Sequence, residues 1–372
     1  MVPLNDESST ENHLYTSADH WFRRIRCRFD MATNSVDHCT SFGKLRAQNV
    51  FRTGSRGTSS ERDDLPAELQ CNDVVLKEGY WTNSRGSCLF TSIMTPKSGQ
   101  TIAVVCFCHG FLGSSSYLIR CEYQRMVKTG IAFVSIDYEG HGQSDGEQGL
   151  IPSWDELVGD SLDYFKETLQ HDFPGKPAFL CGEVIYGRRS LLFHLREMSY
   201  SLEGCRILSS DVQDQRRHGD FSLPPPWVVK VFLAIVGKRG TSSFASLPIA
   251  PSKKSLLNDV FRSEEKRRLA RDTPLFYGDR KPRLASAREL LKASERISSS
   301  LGKFNAPFLV QHGLEDIVTD PALSKALYEE SPSSDKSIKL YEGFWHSINI
   351  GESDENLDIV FNDAIEWILK RS

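Results

Sequence analysis

The chain has 372 residues, a formal net charge of −4, 39% hydrophobic and 25% charged positions, which is the composition of an ordinary globular protein. This length suffices for one large α/β domain with residues left over, and the small charge gives no reason to expect nucleic acid as a partner. Nine scattered cysteines without CxxC spacing indicate neither a disulfide framework nor a zinc site, so no metal or cofactor is expected.

Residues 1–70 differ from the rest, because they are rich in polar residues and contain few apolar ones. We expect a disordered leader here. Its polar, acidic start shows no secretory signal, and no apolar stretch of the sequence reaches the roughly 18–20 residues that cross a bilayer. The basic and aromatic cluster at 21–26 (WFRRIR) is either incidental or a targeting or membrane-surface element. We therefore expect a cytoplasmic protein, with contact to a membrane surface or organelle targeting by the leader as alternatives.

Residues 71–372 form the predicted folded domain, in which strand-like apolar runs alternate with amphipathic helical segments. The first elements predict a β-hairpin, with strands at 79–82 and 88–91 around the turn 83–86. Near-continuous apolar runs suit strands that are buried on both faces of a parallel sheet. Five such runs follow, at 101–108, 131–137, 177–181, 306–311 and 337–341. The alternation predicts an α/β fold with a mostly parallel central sheet flanked by helices.

Two helices and one insertion complete this organisation. Ser153 and Glu156 form a capping box that opens a helix, and the last residues of the chain carry a helical apolar stripe. The stretch of about 210–293 interrupts the alternation, and an insertion of this size is typical of a cap over an active site. Within it, residues 227–236 are apolar on nearly every side. They are either a buried cap helix or a surface that faces lipid or an acyl chain.

Several residues fit the parts of a hydrolase that transfers acyl groups. Such an enzyme on this fold needs a nucleophile, an acid and a histidine in that chain order, together with two backbone N–H donors. Asp316 follows a predicted strand and is the candidate acid, whereas Asp320 precedes a proline and is the expected N-cap of a helix. His346, 30 positions beyond Asp316, is the candidate base. The backbone N–H of Phe111 is a candidate oxyanion donor after the first buried strand. His109 and His312 are expected to pack in the core.

The position of the nucleophile is occupied by a valine. The only literal GxSxG is 142–146, but no helix follows it, so Ser144 is interpreted as a decoy. The expected strand–turn–helix context is instead 179–187 (FLCGEVIYG) followed by the helical 191–195. The apex of this turn is Val184. Valine has no nucleophilic atom, and its branched side chain disfavours the strained backbone of such a turn.

These motifs carry a family resemblance over nearly 300 residues, from about Val74 to Ser372. The stretches CHGFLGSS, DYEGHGQSDGEQGLIPSWDELVGD, HGLEDIVTDPALSKALYEE and KLYEGFWH resemble the monoacylglycerol-lipase and caffeoylshikimate-esterase branch of the α/β-hydrolases, the serine aminopeptidase S33 type. The resemblance implies the α/β-hydrolase fold with a helical cap. It also implies Asp316 and His346 as acid and base, and the backbone of Phe111 and Ile185 as oxyanion donors. Its ligands would be acylglycerols or similar lipophilic esters, with peripheral membrane contact through the cap as a further expectation.

This chain departs from the family at the nucleophile turn, where GEVIYG replaces a sequence like GESMGG. Tyr186 replaces a glycine, and Arg188 and Arg189 replace small residues. Loss of the nucleophile from a serine triad costs about 10⁶ in kcat, so the resemblance implies an impaired carboxylic-ester hydrolase. Three interpretations stay open. The chain is a non-enzymatic protein that binds a lipid, an ester-like small molecule or a partner protein; or it is an active lipase or esterase in which the nucleophile turn is aligned wrongly or another serine serves; or it is an active enzyme whose residues 183–190 are given wrongly by the gene model.

Overall fold

The computed structural model describes residues 73–115, 117–183, 204–208, 257–272 and 282–372. The predicted leader and much of the predicted insertion, including 227–236, lie outside the described residues. Within the described part, the strands form one sheet of eight in the order β1-β2-β4-β3-β5-β6-β7-β8. The strands are β1 (Val74–Thr82), β2 (Cys88–Pro96), β3 (Ala103–Cys108), β4 (Ile131–Ile136), β5 (Ala178–Glu183), β6 (Gly204–Leu208), β7 (Phe308–Gly313) and β8 (Lys336–Tyr341).

The sheet is mostly parallel, as the sequence predicts. β2 pairs antiparallel with both β1 and β4, and the other neighbouring strands pair parallel. The predicted hairpin is confirmed, with Thr82 opposite Cys88 at its turn end. The five predicted strands match β3, β4, β5, β7 and β8 to within two residues at each end. The predicted burial on both faces is wrong for β8, which is the last strand in the order of the described sheet and has mostly partly exposed residues. β6 was not predicted, because its five residues include an arginine and give no apolar run.

Helices flank the sheet on both faces. The described helices are α1 (Tyr117–Val127), α2 (Trp154–Asp172), α3 (Leu257–Val260), α4 (Glu264–Asp272), α5 (Leu284–Ser298), α6 (Pro321–Glu330) and α7 (Asp354–Leu369), with a 3₁₀ turn at Leu301–Lys303. α2 begins at the predicted capping box, where the Ser153 side chain accepts the backbone N–H of Glu156. None of the helices in these ranges is long and apolar enough to cross a membrane.

Two apolar cores form, one on each face of the sheet, and β3 shows why the apolar runs are continuous. Its Val104, Cys106 and Cys108 face the core that contains α2, whereas Val105 and Phe107 face the core that contains α1 and α7. A strand covered by helices on both faces has no exposed side, so every position is apolar. The predicted stripe of α7 is buried in the second core: Leu357, Val360, Phe361, Ala364, Ile365 and Ile368.

Candidate active site

The candidate residues gather at one edge of the sheet. β3, β5, β7 and β8 run parallel, so their carboxyl ends lie along the same edge, which is where open α/β sheets bind ligands. Phe111 follows β3, Asp316 follows β7 and His346 follows β8. Val184 is the first residue after β5 in the sequence, and Val184 and Ile185 both lie outside the described residues.

Asp316 and His346 are brought together from positions 30 residues apart. Asp316 Oδ2 lies 2.8 Å from His346 Nδ1, and both residues are buried. A carboxylate oxygen only accepts, so the Nδ1 atom carries the proton and the lone pair of a neutral ring is on Nε2. An imidazole held in this tautomer by a buried carboxylate can act as a general base through Nε2.

The carboxylate of Asp316 is held by five hydrogen bonds in total. Oδ1 accepts the backbone N–H groups of Val318 and Thr319, at 2.8 and 2.9 Å. Oδ2 accepts the Thr319 hydroxyl at 2.6 Å and His312 Nε2 at 3.0 Å, besides His346. Burial alone would raise the pKa of Asp316, but the charge of His346 and the hydrogen bonds from His312 and His346 outweigh it. The pKa of this carboxyl is therefore well below its ordinary value, and Asp316 is a fixed negative charge at neutral pH.

Replacing Asp316 by asparagine is expected to destabilise the fold by about 3 kcal/mol at neutral pH, because an amide N–H₂ would face ring N–H donors in a buried site. The folded-state pKa lies below the unfolded value of about 3.9. The stabilisation is thus present above that value and is lost as the pH falls below about 4. Urea unfolding of both proteins at several pH values should show the largest difference near neutrality and a smaller one in acid. Asp163→Asn, at an exposed position on α2, is the matched control and should stay within about 0.5 kcal/mol at every pH.

The loop that carries His346 is held on both sides of the histidine. The N–H of Trp345 donates to Glu352 Oε1 at 2.7 Å, and Glu352 is fully buried. The N–H of Ser347 donates to the carbonyl of Val260 at 3.1 Å, so the end of α3, from the predicted insertion, contacts the residue next to the base. Fixed neighbours limit how far the ring can move.

The loop after β3 is shaped to leave one backbone donor unused. The N–H of Gly113 closes a turn onto the carbonyl of Gly110 at 3.0 Å, and Leu112 has a φ of +60°, a strained value for a residue with a side chain. The N–H of Gly110 donates to Glu183 Oε2 at 3.3 Å. The N–H of Phe111 has no acceptor among the described residues, as an oxyanion donor requires.

Ser144 has a structural role in the described fold. Its hydroxyl donates to the carbonyl of Asp137 at 2.5 Å and accepts the N–H of Phe90 at 2.8 Å, and the residue is buried. These bonds tie the glycine-rich loop after β4 to β2. A hydroxyl committed to two backbone groups fits the interpretation of Ser144 as a decoy rather than a nucleophile.

His109 is buried, as predicted, and cannot serve as a base. Its Nδ1 donates to the carbonyl of Gly110 at 2.9 Å, and its Nε2 accepts the N–H of Tyr138 at 3.2 Å. Burial lowers the pKa of His109 to about 4. Asp320 caps α6 as predicted, since its side chain accepts the N–H of Ala322 at 2.8 Å.

Sequence reasoning missed three polar contacts of this site. They are the contact of His312 with the Asp316 carboxylate, the buried Glu352 that accepts the N–H of Trp345, and Glu183, which accepts the N–H of Gly110. Only Glu183 could have been noticed in the sequence, because it directly precedes Val184, the expected apex of the nucleophile turn. In the described ranges no group of three or more histidine, cysteine, aspartate or glutamate side chains is arranged to hold a metal ion.

Comparisons with known proteins show the family and the fold of the chain. The family model described as serine aminopeptidase, S33 matches residues 99–354. The chain is similar to caffeoylshikimate esterase of Arabidopsis thaliana, with 29% identity over 78% of this chain and 84% of that protein. It is also similar to human monoglyceride lipase, with 26% identity over 79% of this chain and 90% of that protein. The crystal structure of a soluble variant of monoglyceride lipase from Saccharomyces cerevisiae, in complex with a substrate analog, shares the fold. It gives a TM-score of 0.66 at 18% identity and covers 80% of this chain and 96% of that one.

Proposed function

This chain belongs to the serine aminopeptidase S33 family of α/β-hydrolases, and from that membership we propose that it is a monoacylglycerol-lipase-like protein that binds lipophilic carboxylic esters without hydrolysing them at an enzymatic rate. One observation carries the proposal. The acid–base pair of Asp316 and His346 is assembled, while the position that this pair would activate is Val184 in the sequence.

The chemistry that remains is a base without a nucleophile. In a serine hydrolase the histidine removes the proton of the serine hydroxyl, and an acyl-enzyme forms. Valine offers no proton and no electron pair, so that intermediate cannot form at Val184. The Phe111 N–H and His346 remain as groups that can bind an ester carbonyl and a nearby hydroxyl. Such a site can hold an ester and leave it intact.

The similar proteins suggest the class of ligand. A monoglyceride and a caffeoylshikimate are both esters that join an apolar acyl group to a small core with free hydroxyl groups. The similarity extends over more than three quarters of this chain in both cases. We therefore propose monoacylglycerols first, and phenylpropanoid esters second, as the ligands to test.

The test measures binding and labelling on the natural protein. A fluorescent monoacylglycerol should bind saturably and be recovered uncleaved, and a fluorophosphonate probe, which labels only activated serines, should give no signal. Hydrolysis or labelling would overturn the proposal, and so would an absence of saturable binding by both ester classes. If labelling occurs, Ser144→Ala serves as the control, because loss of the label would identify Ser144 as the nucleophile.

A further inference from the structure

His312 contacts the carboxylate that orients the candidate base. Asp316 Oδ2 lies 2.8 Å from His346 Nδ1 and 3.0 Å from His312 Nε2, so a single oxygen is shared by two imidazole rings. His312 is fully buried at the end of β7. The sequence predicted only core packing for His312. Its contact with the Asp316 carboxylate distinguishes it from His109, whose two ring nitrogens bind only backbone groups.

The hydrogen bonds fix the proton on His312. An ionised carboxylate only accepts, so His312 Nε2 must donate to Asp316. The other nitrogen of a neutral ring is then an acceptor, and the Ser324 hydroxyl lies 2.8 Å from His312 Nδ1. Ser324 is fully buried on α6. The donors therefore run in one direction, from Ser324 to His312 to Asp316, and they meet the bond from His346 at the same oxygen.

We propose that His312 is a positioning residue for the acid–base pair: it holds Asp316 Oδ2 between the two rings and takes a share of the negative charge that His346 would otherwise receive. This rests on the proposed roles of Asp316 and His346. The geometry gives the reason. Each donor to a carboxylate oxygen lowers the electron density that is left for the others, and Oδ2 accepts His312, His346 and the Thr319 hydroxyl together.

Removal of this donor should strengthen the bond that remains to His346. In His312→Leu, Oδ2 loses one of its three donors, so the carboxylate stabilises the positively charged, doubly protonated His346 ring more strongly. The measured pKa of His346, which reports protonation at Nε2, should therefore rise by about 1. In His312→Gln the terminal amide supplies a donor to Asp316 and an acceptor to Ser324, so His346 should titrate as in the natural protein. Ser324→Ala leaves the His312 donor in place but unsupported, and a smaller rise is expected.

The experiment is NMR titration of the natural protein and these variants with labelled histidine, with the signal of His346 assigned from its loss in His346→Gln. Leu327→Ala is the matched control, because Leu327 is fully buried on the same helix as Ser324 and its truncation loosens α6 without touching Asp316. It should lower Tm and leave the His346 titration unchanged.

The assignment is supported if the pKa of His346 rises in His312→Leu and Ser324→Ala and stays at its natural value in His312→Gln and Leu327→Ala. An unchanged or lowered pKa of His346 in Ser324→Ala and His312→Leu would overturn it, and so would an equal shift in Leu327→Ala. If His312→Leu does not fold, Ser324→Ala and His312→Gln still decide. Titration requires no turnover, so labelling of the natural protein by fluorophosphonate would reject the proposed function and leave this result standing.

Discussion

Val184→Ser is expected to hydrolyse a short-chain p-nitrophenyl ester faster than the natural protein, on the order of 10³-fold or more. The acid–base pair is already assembled, with Asp316 Oδ2 at 2.8 Å from His346 Nδ1, and the N–H of Phe111 is available as an oxyanion donor. Serine supplies the missing nucleophile. The gain should stay below the full 10⁶ of a complete triad, because Tyr186 replaces a glycine of the family turn.

The comparison needs the natural protein, Val184→Ser, Val184→Ala and Val184→Ser combined with His346→Ala, each assayed on the p-nitrophenyl ester and on a monoacylglycerol. The serine variant should become reactive to fluorophosphonate, and the alanine variant should stay inert. Loss of His346 should remove nearly all of the gain, since the serine then has no base. Turnover by the natural protein at the rate of the serine variant would show that Val184 is not the nucleophile position.

Local patterns predicted most of the fold because burial on both faces of a parallel sheet leaves a strong local signal. Apolar runs predict β3 and β7, and a capping box predicts α2. Each of these signals depends on neighbours within a few residues along the chain. Asp316 and His346 were found in the same way, from their order and their places after strands. Their spacing in the chain says nothing of distance, but the topology brings the ends of β7 and β8 side by side.

The parts that could not be predicted are contacts of polar side chains, even where the two residues are close in the chain: His312 and Asp316 are four positions apart, and Trp345 and Glu352 are seven apart. The sequence predicts His312 as a core residue beside a glycine, and only the folded structure places its ring against Asp316. Glu352 reads as an ordinary charged residue before a helix, yet it is fully buried and holds the backbone before the candidate base. A local sequence pattern does not show which residue a polar side chain contacts. The side chains that support an acid–base pair are therefore harder to predict than the pair itself.

A further close contact lies at Gly313, and Gly313→Ala is expected to disrupt both stability and the site. A Cβ atom at this position would lie 2.4 Å from the backbone oxygens of both Phe344 and Trp345. Backbone atoms cannot move aside as a flexible side chain can, so the loop before His346 must shift away from β7. We expect a loss of about 3 kcal/mol in the free energy of unfolding, at the upper end of overpacking costs.

Displacement of that loop should also separate His346 from Asp316. In the Val184→Ser background, Gly313→Ala is expected to lower kcat by about 10²-fold, the cost of misplacing a catalytic group by roughly 1 Å. Gly159→Ala is the matched control, because Gly159 lies within α2 and a Cβ there meets nothing within 4 Å. It should stabilise the protein by about 0.5–1 kcal/mol and leave kcat unchanged. Equal unfolding free energies for the two alanine variants would contradict this prediction. They would mean that the loop carrying His346 moves away from Gly313 without cost, and that the base is not held rigidly against the end of β7.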